Sequence, residues 1–261
     1  MRGKPIPLSL PRRLIGDLMH FAVRVPSIPV QRRMNLGAVA AARAACPYPV
    51  PIIALFIKGF GLVAEEVPEL RRAYCKFPWP HLYEYPVSVA SVAIERDHMG
   101  EPGVFGVLLK DVARLPLLDI GRAIRYAASA PTDAVKDFRR ALNMARLPRT
   151  LRRLLWWLGL NIGRQRANYF GTFGVTSYGS LGAESLHPIS PMTTTLTYGP
   201  IGQDGAVNVR LIYDHRVLDG ATIARALARL ETVLSTTILK ELEELGSAAY
   251  KTPTVMHSAV V

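Results

Sequence analysis

Thiols are scarce in this chain of 261 residues: Cys46 and Cys75 are its only two, and they lie far apart. No disulfide framework can be built on them, and no Cys/His cluster has metal-ligand spacing. The simplest reading is two reduced, partly buried thiols in a cytosolic protein with no metal. Long apolar runs are missing as well. Nowhere do about eighteen apolar residues follow one another, so a spanning helix is not expected. The start, Met1-Arg2-Gly3-Lys4-Pro5, leads into a proline-broken segment rather than an apolar h-region, so no secretory signal is expected either. Internal repeats, Gly/Ser linkers and low-complexity blocks are also lacking. With 49% apolar residues, the chain reads as one domain over 1–246 and a flexible tail over 247–261.

Acidic side chains are in short supply. Twenty Asp and Glu face 32 Lys and Arg, for a formal charge of +12 and a pI near 10.0. Such a charge steers a protein toward polyanions. Helix-turn-helix, zinc-finger and aromatic RNA-binding signatures are all missing, so nucleic acid is not expected as a partner. Anionic lipid, acidic carrier proteins and the phosphates of coenzyme A would be served equally well, and simple solubility is the plain alternative.

What is present gathers around Tyr213-Asp214-His215-Arg216-Val217-Leu218-Asp219-Gly220. Before it, Val207, Val209, Leu211 and Tyr213 alternate with Asn208 and Arg210, which predicts a strand. After it, Ile223, Leu227 and Leu230 recur at helical spacing, and Gly220 is free to take angles closed to residues with a Cβ. A histidine at such a junction is held by the sheet yet reaches a cleft. Its neutral form accepts a proton near pH 7, as a general base must.

His215-Arg216-Val217-Leu218-Asp219-Gly220, with Asp214 before it, resembles the DHRxxDG signature of the dihydrolipoyl acyltransferase catalytic cores of 2-oxoacid dehydrogenase complexes, relatives of the chloramphenicol acetyltransferases. Pro7-Leu8-Ser9-Leu10-Pro11-Arg12-Arg13-Leu14-Ile15 resembles the family's PLSxxRKxIAxRM opening. Its helix is expected to run to Ala22, with Ser9 as N-cap and Pro11 in the first turn. Asp17 and Leu18 stand where the family has basic residues, which makes Arg12 the arginine chosen to support the active-site aspartate. Gly171-Thr172-Phe173-Gly174-Val175-Thr176-Ser177-Tyr178-Gly179-Ser180-Leu181-Gly182 resembles the GTFTISNLGxxG strand and turn. There the family places a hydroxyl that donates to the oxyanion of a tetrahedral intermediate. Thr176 and Ser177 fall on the two candidate positions, and either hydroxyl can donate.

Between these stretches, Val25 to Val30 reads as a proline-rich loop and Leu36 to Ala45 as a helix. Pro49 to Pro68 reads as a buried helix weakened by two glycines. Tyr85 to Ile94 and Gly103 to Leu109 read as paired strands around a Gly100-Glu101-Pro102-Gly103 turn, and Leu117 to Ser129 as an amphipathic helix. The family resemblance is weakest from Asp133 to Arg166. In Leu147 to Leu160, Leu151, Leu154, Leu155 and Leu158 share one helical face, with Arg149, Arg152 and Arg153 toward another. With Trp156 and Trp157, this suits either a membrane interface or docking on protein.

The resemblance implies an α/β domain: a chloramphenicol acetyltransferase-like mixed sheet flanked by helices, forming a homotrimer or a larger trimer-based assembly with sites between subunits. It implies acyl transfer in which His215 takes a proton from the acceptor and Thr176 or Ser177 of the adjoining subunit steadies the oxyanion. Asp219 would be structural and paired with an arginine. No lipoyl domain is seen before the core. The expectation is therefore a cytoplasmic, freestanding acyltransferase using acyl-CoA or an acyl carrier, with a small-molecule or lipid-like acceptor and room for a peripheral membrane contact. One alternative is a complex core served by a lipoyl domain on another chain; a second is a non-catalytic scaffold or lipid-binding module.

Overall fold

A computed structural model describes residues 3–247, so the expected tail falls, but for Ser247, outside the described residues. The helix Leu10–Ala22 (α1) begins where Ser9 accepts the Arg12 amide and Pro11 occupies the first turn, as the sequence predicts. There follow β1 (Ser27–Asn35), α2 (Gly37–Ala45), α3 (Ile52–Glu66) and a hairpin of β2 (Arg72–Cys75) and β3 (His81–Glu84). Next come β4 (Val89–His98), β5 (Glu101–Lys110), α4 (Leu117–Ser129), α5 (Lys136–Ala145), α6 (Arg149–Asn161) and α7 (Gly163–Phe170). The chain continues through β6 (Phe173–Thr176), β7 (Thr194–Tyr198), β8 (Ala206–Asp214), α8 (Gly220–Val233) and α9 (Leu239–Ser247).

Six strands make one mixed sheet in the order β1-β8-β7-β6-β4-β5. The central pairs β4·β6 and β6·β7 are parallel and the rest antiparallel. One face carries Ala90, Val92, Phe173, Val175, Leu196, Val207, Val209 and Leu211 into the core. There α3 and α8 meet it, α3 being buried nearly all round as its apolar run requires. The other face carries hydroxyl, amide and guanidinium groups: Thr195 and Thr197 on β7, Asn208 and Arg210 on β8. Glu184, from the loop ahead of β7, meets both Arg210 and Asn208. Gly171 enters β6 at φ +84°, and a Cβ there would sit 2.8 Å from the Val89 carbonyl, so the position suits glycine alone.

Three expectations need correction. Val25 to Val30 is a loop only to Pro26; from Ser27 the chain is the edge strand β1, where Pro29 is tolerated because one flank of an edge strand needs no donor. The β4–β5 turn falls at Met99-Gly100, both at positive φ (57° and 80°), and Glu101 and Pro102 already belong to β5, the other edge. In α6, Arg152 points inward and the leucines outward. The buried residues are Arg152, Trp156, Leu160 and Asn161, whereas Leu151, Leu154, Leu155 and Trp157 are exposed. Asp17 of α1 explains the inversion, since it holds Arg152 in a buried ion pair at 2.5 Å. Trp156 stacks on Phe21 and packs against Phe170. Among the described residues no helix is long and apolar enough to cross a membrane.

Candidate active site

Strand β8 ends at Asp214, and the chain then turns sharply. The amides of Val217 and Leu218 both donate to the Asp214 carbonyl, and the Asp214 amide donates to Thr193 of the neighbouring segment. His215 is fixed from behind by its own amide, which donates to Pro26 at the entry to β1. Its Nδ1 lies 3.0 Å from the Leu218 carbonyl. A carbonyl oxygen only accepts, so Nδ1 carries a proton here, and in the neutral ring the lone pair falls on Nε2. The side chain is 46% exposed and packs edge-on against Tyr213, so the ring is held yet reachable.

The turn is braced by a carboxylate–guanidinium pair two residues apart. Asp214, 1% exposed, accepts from Arg216 Nε at 2.9 Å, from Nη2 at 2.7 Å and from the Arg216 amide at 3.0 Å. The Arg216 guanidinium lies 4.5 Å from the centre of the Tyr74 ring. Close by is Arg166, buried and donating to the carbonyls of Tyr74, Leu160 and Pro191. Burial lowers its pKa, while Tyr85, Cys75 and Asp214 act the other way. Burial in turn pushes the Cys75 thiol up, so it stays protonated there. Sequence reading placed Arg216 inside the signature without giving it a role and missed Arg166, because nothing in the spacing sets Arg166 apart from the other arginines.

Asp219 departs from the expectation of an arginine partner. Its carboxylate is 84% exposed, makes no capping bond to α8, and has His215 Nδ1 at 3.6 Å as its one ion-pairing neighbour among the described residues. Arg12 cannot serve it within one chain. It lies on α1, whose Pro11 packs against Gly103 of β5, and lines a shallow cleft with Leu8, Glu101 and Pro102. Strand β5 is four places from β8, or about 19 Å at ordinary strand spacing. Of Asp214 and Asp219, it is Asp214 that has a guanidinium partner within the chain, and the guanidinium is that of Arg216.

Thr176 and Ser177 sit at the far end of β6. Tyr213 pairs with Thr194, which pairs with Phe173, so His215 is level with the residues ahead of β6 and Thr176 lies at its exit. Five residue steps along the strand and two strands across separate them by roughly 19 Å. Ser177 already uses its hydroxyl, donating to the Tyr198 carbonyl and accepting the Gly179 amide. Thr176 carries no side-chain hydrogen bond within the described residues and is partly exposed. No group of three or more metal-ligating side chains is found among the described residues.

A six-stranded sheet with α3 and α8 on one face, a polar second face and a histidine at the exit of β8 makes this a mixed α/β fold. The solved structures place it more closely. The chain matches a probable dihydrolipoamide acetyltransferase from Listeria monocytogenes at TM-score 0.63 and 19% identity, over 95% of this chain and 98% of that one. It matches the dihydrolipoamide acetyltransferase of Azotobacter vinelandii at TM-score 0.64 and 18% identity, over 92% and 94%. It also matches a truncated 2-oxoacid dehydrogenase catalytic core from Thermoplasma acidophilum at TM-score 0.64 and 21% identity, over 90% and 99%. The chain therefore has the fold of these catalytic cores, along nearly its whole length. No protein-family profile matches the sequence, and no curated protein is significantly similar to it.

Proposed function

We propose that the protein is a freestanding acyltransferase in which His215 is the general base. The observation that carries the role of His215 is the Nδ1 contact with the Leu218 carbonyl, which leaves Nε2 of the neutral ring as the proton acceptor on a half-exposed side chain, in a turn braced by Asp214 and Arg216. Nε2 takes the proton of an acceptor hydroxyl or thiol as that atom attacks the thioester carbonyl of an acyl-CoA or acyl carrier. The tetrahedral intermediate then collapses, and the departing thiolate recovers the proton from His215.

The oxyanion donor comes from another copy of the chain, because Thr176 and His215 stand near opposite ends of one sheet. Thr176 is the better donor, since the Ser177 proton is already given to Tyr198. A homotrimer or larger trimer-based assembly, closing with sites between neighbours, supplies the missing hydroxyl. The cubic core of a pyruvate dehydrogenase multienzyme complex shares the fold at TM-score 0.58 and 17% identity, which supports that mode of assembly. In the Azotobacter protein, a serine, a histidine and an asparagine four residues after it have been probed for roles in catalysis. His215 and Asp219 have the same four-residue spacing. Asp219, beside Nδ1, then orients the ring.

The test is thiol release from acyl-CoA of short and long chain, by wild type and by His215→Ala. The variant is expected to lose about a hundredfold or more in turnover at unchanged sedimentation mass, and wild-type turnover would remove His215 from the mechanism. The three matched core structures favour one second reading, a complex core served by a lipoyl domain on another chain. Dihydrolipoamide accepted as efficiently as any free alcohol or amine would select it.

A further inference from the structure

A helix that buries a paired arginine and exposes leucines reverses the usual arrangement of a water-facing helix. Along α6, Leu151, Leu154 and Leu155 are 41–52% exposed and Trp157 is 37% exposed. The patch continues onto the β2–β3 hairpin, where Phe77 packs edge-on against Trp157 and Trp79 is 67% exposed. Together these side chains present on the order of 500 Å² of apolar surface, the size at which a patch on a soluble protein marks an interaction site.

The rim of this patch is cationic. Between Asp137 and Glu184 the sequence has eight arginines and no acidic residue. Two of the eight, Arg152 and Arg166, are buried. Arg149 and Arg153 stand with Arg24 around His20, where burial first, and then these three charges, lower the histidine pKa. Lys76 is exposed at the base of the hairpin tip. The tip itself, Phe77-Pro78-Trp79-Pro80, is short and unable to continue a strand.

We propose that this face binds the surface of an anionic bilayer, with α6 lying in the headgroup region, the hairpin tip inserted beside it and the arginines on lipid phosphates. The chemistry favours lipid over a twofold contact of this face with itself, which would oppose arginine to arginine, because Asp17 beneath the rim is already buried and paired. Lipid is also favoured over an acidic protein, since tryptophan and phenylalanine on a proline-stiffened tip, next to a leucine helix with a basic rim, match the polarity gradient of a membrane interface. Docking there would bring the chain to acyl groups and acceptors that reside in lipid. The binding itself does not depend on chemistry at His215.

The experiment is co-sedimentation of the full chain with vesicles of phosphatidylcholine alone and with about one third phosphatidylglycerol. The chain should pellet with the anionic vesicles, much less with neutral ones, and be released by about 0.5 M salt. Trp79→Ser combined with Leu154→Ser should lower partitioning by about tenfold or more, with melting temperature and sedimentation mass unchanged because both positions are exposed. Arg149→Glu should lower it several-fold with the same controls. No binding to anionic vesicles, or full binding by the double variant, overturns the proposal. A smaller oligomer in the double variant overturns it in favour of a subunit contact, and binding to polyglutamate but not to vesicles overturns it in favour of an acidic protein partner.

Discussion

Replacing Asp17 by leucine should be among the costliest single substitutions in the chain, and the structure says why. Its carboxylate is 3% exposed and meets Arg152 Nε at 2.5 Å, with Arg152 8% exposed. The Arg152 guanidinium also donates to the Leu147 carbonyl, which ties the start of α6 to α1. Asp17→Leu leaves a buried guanidinium with no carboxylate, at a cost of about 3–5 kcal/mol. For a domain of this size that corresponds to a fall in melting temperature of roughly 10 °C. Arg152→Met should cost less, because Arg153 Nε lies 3.7 Å from the same carboxylate and can close on it. The double variant Asp17→Leu/Arg152→Met should recover most of the loss, since a well-packed apolar pair replaces a buried ion pair at little or no cost. Urea denaturation at one fixed protomer concentration, run as a double-mutant cycle, measures all three. A loss below about 1 kcal/mol for Asp17→Leu would refute the reasoning, for the pair would then behave like one at the surface.

Thr176→Val should reduce acyl transfer by roughly a hundredfold with little change in stability, whereas Ser177→Ala should act mainly by loosening its turn; equal kinetic losses from both would contradict the assignment of Thr176. For His20, whose pKa is lowered by burial and then by Arg153, Arg24 and Arg149, the unfolded chain binds the proton first as pH falls. The contribution of this group to stability is therefore complete above about pH 6.5 and is lost as pH drops toward the lower folded value. His20→Gln should flatten the urea midpoint between roughly pH 7 and pH 5, and an unchanged slope would show that His20 does not carry it. Gly163→Ala should destabilise by about 1–3 kcal/mol, because a Cβ there would run into the Tyr83 ring; a neutral melting temperature would mean that β3 yields freely.

Much of the architecture was legible along the chain because it depends on local chemistry. Ser9 and Pro11 mark the start of α1 by capping alone, the alternation from Val207 to Tyr213 marks β8, and the apolar run after Pro51 marks α3. The junction at His215 could be read the same way, since a strand pattern breaks there and a helix pattern begins at Gly220. Strand β1 was hidden because its burial follows no alternation: it lies at an edge, and its pairing with β8 links residues nearly two hundred positions apart.

What only the tertiary structure decided is which groups meet. Residue spacing says that Arg152 and Leu154 lie on different sides of a helix, but not which side faces in. That was settled by Asp17, 135 residues earlier, whose carboxylate drew the arginine inward and left the leucines in water. The same holds at the site. Sequence placed an aspartate beside His215 and supplied a choice of arginines, while the fold set Asp214 against Arg216, left Asp219 exposed and carried Arg12 to the opposite edge of the sheet. Periodicity records a residue's relation to its own helix or strand. Ion pairs and shared sites depend on distances between elements, and those are fixed only when the sheet order is.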